Sequence, residues 1–320
     1  MVRTLGSARA HAALVVAFSL ALGGCGLTAA QKAAIGQFSR ATAVVGETTS
    51  DELAKMRDGT IRANMSTLVI IGKDSLAPGE TAPGTALITP TTVERQFTIE
   101  HTSRIGLAAR ALQSYGGLLR ALVEDTQASE LRDAADDFVG KLRALPGGRL
   151  QEKEADAITA AVYTIGRVIV EKKKADAVKT IVPTAAPHVD TITSLLTREF
   201  DPDQNGSLAS AFKGAAERLR GEGAVAFDKA ATPADRAVIL PAWEYARLAS
   251  ARSDEIHKRS SQAIAAVGNA HAVLVRALKD DDWSTRDVKG LVREFDGEVK
   301  TIGKLAAELA ERSKLLQLVP

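Results

Sequence analysis

Three stripes of mostly apolar side chains at four- and three-residue steps, settling into strict alternation, constrain this chain of 320 residues more than any other feature. The first runs through Val93, Phe97, His101, Ile105, Ala108, Leu112, Tyr115, Leu119 and Leu122. The second is Ile264, Val267, His271, Leu274 and Leu278, and the third Val288, Val292, Phe295, Val299, Ile302, Ala306 and Leu309, rejoined by Leu316 after polar Ser313. Such steps hold one line on the surface of an α-helix, and a line this long is stable in water when another helix covers it. Aromatic residues make up only 4% of the chain, too few to build a β-sandwich core, while Ala, Leu and charged helix formers are abundant. The expected fold is all-α: an elongated antiparallel bundle of coiled-coil-like long helices, crossing at about 20°.

Proline and glycine punctuate the chain. A first helix is expected over residues 27–71, with Ile35, Phe38, Val45, Leu53, Met56, Ile61, Met65 and Leu68 inward and a break near 46–50, where Gly46 weakens it. Residues 72–90 hold Pro78, Pro83 and Pro90 with three glycines and read as a loop, with a short strand-like run at 85–88. Thr89-Pro90 opens a helix expected to reach Leu145, with a weak point near Thr126. The next helical run, 150–182, carries Lys172, Lys173 and Lys174 as a solvated face and is bent or ended by Pro183 and Pro187. Helices to Phe200, from Ser207 to Ala230 with interruptions at Gly221 and Gly223, and from a Thr232–Asp235 cap with a kink at Pro241 complete the series before the last stripe. Trp283, Ser284 and Asp287 mark a break and a cap before it. Residues 25–320 are read as a single helical-bundle domain.

The first 25 residues have another character. Arg3 and Arg9 precede an apolar run at 12–22, which is shorter than the roughly 20 residues a membrane span needs. The run ends in Leu22-Gly23-Gly24-Cys25, which resembles the lipobox of bacterial lipoproteins. The resemblance implies a signal peptide over residues 1–24, removed before Cys25, and a diacylglyceryl group on the Cys25 thiol, with a further acyl chain on the freed amine in many bacteria. One chain anchors only marginally and two or three anchor stably. It also implies a cell-envelope location facing the periplasm. Gly26 follows the cysteine instead of the Asp that retains Gram-negative lipoproteins in the inner membrane, so the pattern resembles that of outer-membrane lipoproteins.

Cys25 is the only cysteine, so its acylation leaves no thiol for a disulfide, a zinc site or a nucleophile. Without Arg3 and Arg9 the 41 basic residues become 39, equal to the 39 acidic ones, and a neutral chain argues against nucleic acid as a partner. Asp201, Asp203 and Asn205, followed by Gly206, match the opening of an EF-hand loop and nominate calcium, but Phe212 stands where a bidentate Glu belongs. An Asx-rich helix connection accounts for the same residues. His101 and His271 lie on apolar stripes, where a polar residue sets helix register; were the two stripes to face each other, the pair could form a site. Trp243 and Tyr245 fit core packing near Pro241.

No hydrolase, metalloprotease, phosphate-loop or dinucleotide motif is present, and no catalytic residue is nominated. The expected role is therefore non-enzymatic: a lipid-anchored structural or adaptor module that binds another envelope protein. The alternatives are a calcium- or ligand-binding lipoprotein using the 201–207 loop, and a membrane-active helical protein using the apolar stretch at 157–170.

Overall fold

The computed structural model describes residues 26–27, 29–71, 89–124, 126–145, 150–165 and 171–279. These residues form eight helices: α1 (Ala29–Ile71), α2 (Pro90–Glu94), α3 (Ile99–Val123), α4 (Ala128–Ala144), α5 (Glu152–Tyr163), α6 (Glu171–Glu199), α7 (Leu208–Lys229) and α8 (Pro233–Lys279). No strand occurs among the described residues. The signal and lipobox residues, the 85–88 run, Trp283 and the third stripe lie outside them.

Local chemistry sets where several helices begin. Thr89 and Thr92 exchange backbone and hydroxyl hydrogen bonds around Pro90. Thr98 accepts from the backbone N–H of His101, and Ser207 from that of Ser210. Thr232 and Asp235 form a reciprocal pair at the start of α8. Each such cap is worth about 1 kcal/mol.

Helices α1 and α8, of 43 and 47 residues, are about 65 and 70 Å long and run antiparallel. Phe38 meets His271, Glu52 meets His257, and Gly59 lies under Tyr245. The other helices divide along these two rails. α3 lies antiparallel on the first part of α1, α4 returns along α3, α5 along α4, and α6 packs on α3, α5 and α8. This end holds the larger core, in which Phe38, Phe97, Tyr115, Phe138, Phe200, Leu112 and Leu118 are fully buried. Toward the other end α7 joins the second part of α1 and the first part of α8 around a small core of Ala63, Ala215, Leu219 and Ala246. The molecule is thus a many-helix body extended by a three-helix arm.

Both stripes among the described residues face inward, and only His101 is half-exposed on them. The boundaries differ from the sequence expectation in several places. The helix expected from Pro90 to Leu145 is three helices. The chain turns at Arg95, with φ of 49°, which lets Val93 and Phe97 both bury against α1, where Asn64 Nδ2 donates to the Val93 carbonyl. The run expected over 150–182 is likewise two helices, α5 and α6. Pro183 and Pro187 do not end α6. Pro187 is exposed and Pro183 half-buried, while Val178, Ile181, Val182, Ala185 and Val189 hold the opposite face in the core. Gly221 and Gly223 do not interrupt α7. Lys174 is not part of a solvated face: it is 1% exposed and donates to the Glu124 carbonyl at 2.7 Å, closing the C-terminal end of α3.

Nor does α1 break at Gly46. That glycine is where α3 comes closest: a methyl group there would lie 2.5 Å from the Gln113 backbone nitrogen. Gly116 on α3 is in the same position, with Ser39 O and Ala43 N at 2.5 and 2.6 Å from such a methyl. Two glycines, one on each helix, let the backbones touch. The helix propensity they sacrifice, about 1 kcal/mol each, is offset by this contact.

Candidate functional site

The last turns of α1 carry Ile61, Met65, Leu68 and Val69 on one face, with Ile70 set apart from them. Leu68 is buried, but Met65 is 45% and Val69 77% exposed. The sequence placed Met65 inward; in the structure α7 and α8 cover only part of this width. Across from it, Val238 on α8 is 69% exposed. Between them lies an open groove of about 480 Å³, lined by Ile61, Met65, Val69, Ile70, Val238 and Ala242, with Asp58, Arg62 and Ser66 on its polar side. Such a patch is the kind that marks an interaction surface. The sequence carried no separate signal for it: Ile61, Met65, Leu68 and Val69 fit the width of an ordinary core-facing stripe.

Tyr245 packs behind Arg62, outside the groove lining. Its ring lies 5.9 Å from the Arg62 guanidinium, its hydroxyl occupies the space left by Gly59, and burial pushes its pKa up to about 12. Trp243 is half-buried against Gly223. Packing near Pro241 therefore accounts for both aromatics.

Both rail helices bury polar side chains. Ser39, Thr42, Thr49, Glu52, Thr60 and Asn64 on α1 are buried, as are Ser250, Ser253, His257, Ser260 and His271 on α8. His257 Nε2 stands 3.3 Å from Glu52 Oε1, with the Phe212 ring edge-on to the imidazole. Tyr115 Oη and His271 Nε2 share a hydrogen bond of 2.6 Å inside the larger core, enclosed by Phe38 and Phe138. Burial pushes the tyrosine hydroxyl well above its ordinary range and lowers the His271 pKa to about 4. Neither pair lines the groove, so both read as register-fixing contacts between helices.

His271 has a consequence for acid stability. The unfolded chain takes up its proton near pH 6.5, whereas the folded chain keeps the ring neutral down to about pH 4. Stability is therefore undiminished above pH 6.5 and falls as pH drops toward 4, by about 3 kcal/mol in total. The urea midpoint measured at both pH values checks this, and a His271→Gln variant should lose this part of the pH dependence.

His101 does not meet His271. It sits at the start of α3, about 21 Å along the helix from Tyr115, with Nε2 3.4 Å from Glu199 Oε2 and Nδ1 beside Arg104. His188 lies 3.3 Å from Glu154. In the 201–207 loop, Asp201 Oδ1 accepts from the Asp203 N–H, the Ser207 hydroxyl donates to the Asp201 carbonyl, and Gly206 takes φ of 79°. Asp203 Oδ2 faces Lys258 at 3.8 Å, and Phe212 packs on His257. These contacts make an Asx turn leading into the cap of α7. No cluster of three or more His, Cys, Asp or Glu able to hold a metal occurs among the described residues. No described helix is long and apolar enough to cross a membrane.

No family model, curated protein or solved structure matches this chain. The functional reading therefore rests on the groove and on the sequence.

Proposed function

We propose that this chain is a lipid-anchored adaptor of the bacterial cell envelope. Acylated Cys25 holds it on a membrane, and the groove on the three-helix arm receives an apolar helix face of another envelope protein. The groove carries the reading: Met65, Val69 and Val238 are large apolar residues exposed together, beside a rail helix too long for its neighbours to cover. Two rail helices side by side offer the shape a third amphipathic helix fits. The near equality of basic and acidic residues and the absence of catalytic motifs agree with binding as the role.

Crosslinking in the host tests it. The wild-type chain should capture one envelope protein in stoichiometric amount, and Val69→Lys with Val238→Lys should lose it. Both positions are mostly exposed, so the double variant should unfold within about 0.5 kcal/mol of wild type. Capture that survives both substitutions would place the partner elsewhere, and no captured protein at all would remove the adaptor reading.

A further inference from the structure

We propose that the body end of the bundle rests directly on the lipid headgroups, so that the chain stands upright with the groove far above the membrane. The inference rests on the acylation of Cys25. Its own observation is Leu27, which packs against the larger core, with α1 beginning two residues later at Ala29. A tether after the cysteine, of the kind lipoproteins use to reach away from a membrane, therefore has no length here. Two residues span at most about 7 Å. The lipid must enter the bilayer within that distance of Leu27, and the elements that end beside Leu27 must meet the headgroups.

Those elements have the side chains for it. The first turns of α1, α4 and α6 and the last turns of α3, α5 and α8 share this end, as the contacts of Gly36 with Val123, Lys174 with Glu124, Arg132 with Tyr163 and Phe38 with His271 establish. Lys172 and Lys173, in the first turn of α6, are exposed and form no ion pair among the described residues. Tyr163 at the end of α5 is 47% exposed under the Arg132 guanidinium, 4.9 Å from its ring. Glu124, at the end of α3, is held by Arg40 at 3.2 Å, and Glu130, in the first turn of α4, is the exposed acid at this end. Exposed Tyr beside Lys and Arg is the composition of a headgroup-level surface, and the lysines lie within a Debye length, about 8 Å, of any anionic lipid there. Val225, on the arm, lies about 60 Å away along α1, since Arg218 of α7 bonds Asn64 and α7 runs parallel to α1.

Acylation removes the only native thiol, so single introduced cysteines can carry a fluorophore on the full-length acylated protein. Glu130→Cys, exposed at the start of α4, and Val225→Cys report the two ends. They are compared in vesicles of phosphatidylethanolamine and phosphatidylglycerol containing a headgroup nitroxide quencher. The label at 130 should lose most of its emission and the label at 225 none. Lys172→Glu with Lys173→Glu should weaken the quenching at 130. Quenching at neither position would mean that the body stands off the membrane, and quenching at both that it lies on its side; either overturns the inference. Unchanged quenching in the lysine variant overturns the lysine contact. The mass of the N-terminal peptide separates the two levels: unacylated Cys25 removes anchor and inference together, whereas acylated Cys25 with no quenching at 130 removes the inference alone.

Discussion

Gly116→Ala should destabilise the protein by about 2 kcal/mol, and Gly117→Ala, one residue on, should stabilise it by up to about 1 kcal/mol. Alanine is the better helix former at both positions by about 1 kcal/mol. At 117 nothing lies within 4 Å of the added methyl, so only that gain remains. At 116 the methyl meets the backbone of α1, with Ser39 O at 2.5 Å and Ala43 N at 2.6 Å. A backbone cannot swing aside as a side chain does, so the two helices must separate over much of their contact. The expected fall in melting temperature is about 3 °C for a chain of this size. Thermal unfolding of the two variants gives the answer in the sign of the difference. A stabilising Gly116→Ala would mean that α1 and α3 do not approach as described.

His257→Leu should cost more, about 3 kcal/mol or above, because it leaves Glu52 buried opposite an apolar side chain. Most of that loss belongs to the stranded carboxylate rather than to the pair. Adding Glu52→Met should therefore restore much of the stability, and the double-mutant cycle should show a coupling well above 1 kcal/mol. Equal and additive losses would contradict a buried pair. A restored double variant also bears on why the pair exists. It adds little net stability, and its effect lies in fixing how α8 slides along α1, which sets the two walls of the groove against each other.

The helical class and the inward faces were legible because periodicity records burial directly. Nearly every residue on the stripes at 93–122 and 264–278 is buried. Where a single glycine or proline was read as a break, the structure disagrees. Gly46 and Pro183 act through their surroundings: a neighbour that needs the space, or an opposite face that holds the helix together; Gly221 stands in open space and one glycine's cost of about 1 kcal/mol does not end α7. The break at Arg95 escaped the sequence reading because Val93 and Phe97 keep the helical spacing across it. Lys174 shows the same limit. Three lysines in a row read as solvated, and only the crossing of α3 and α6 decides that one of them is enclosed. The groove was half-visible: the apolar residues at 61–70 were plain, but not which of them the neighbouring helices leave uncovered.

The most direct test of a lipid-anchored envelope protein is the mass of the N-terminal peptide of the chain purified from its host membrane. The account predicts a peptide that begins at Cys25 and carries a diacylglyceryl group, with residues 1–24 absent. A peptide that retains Met1, or a Cys25 with a free thiol, would contradict it.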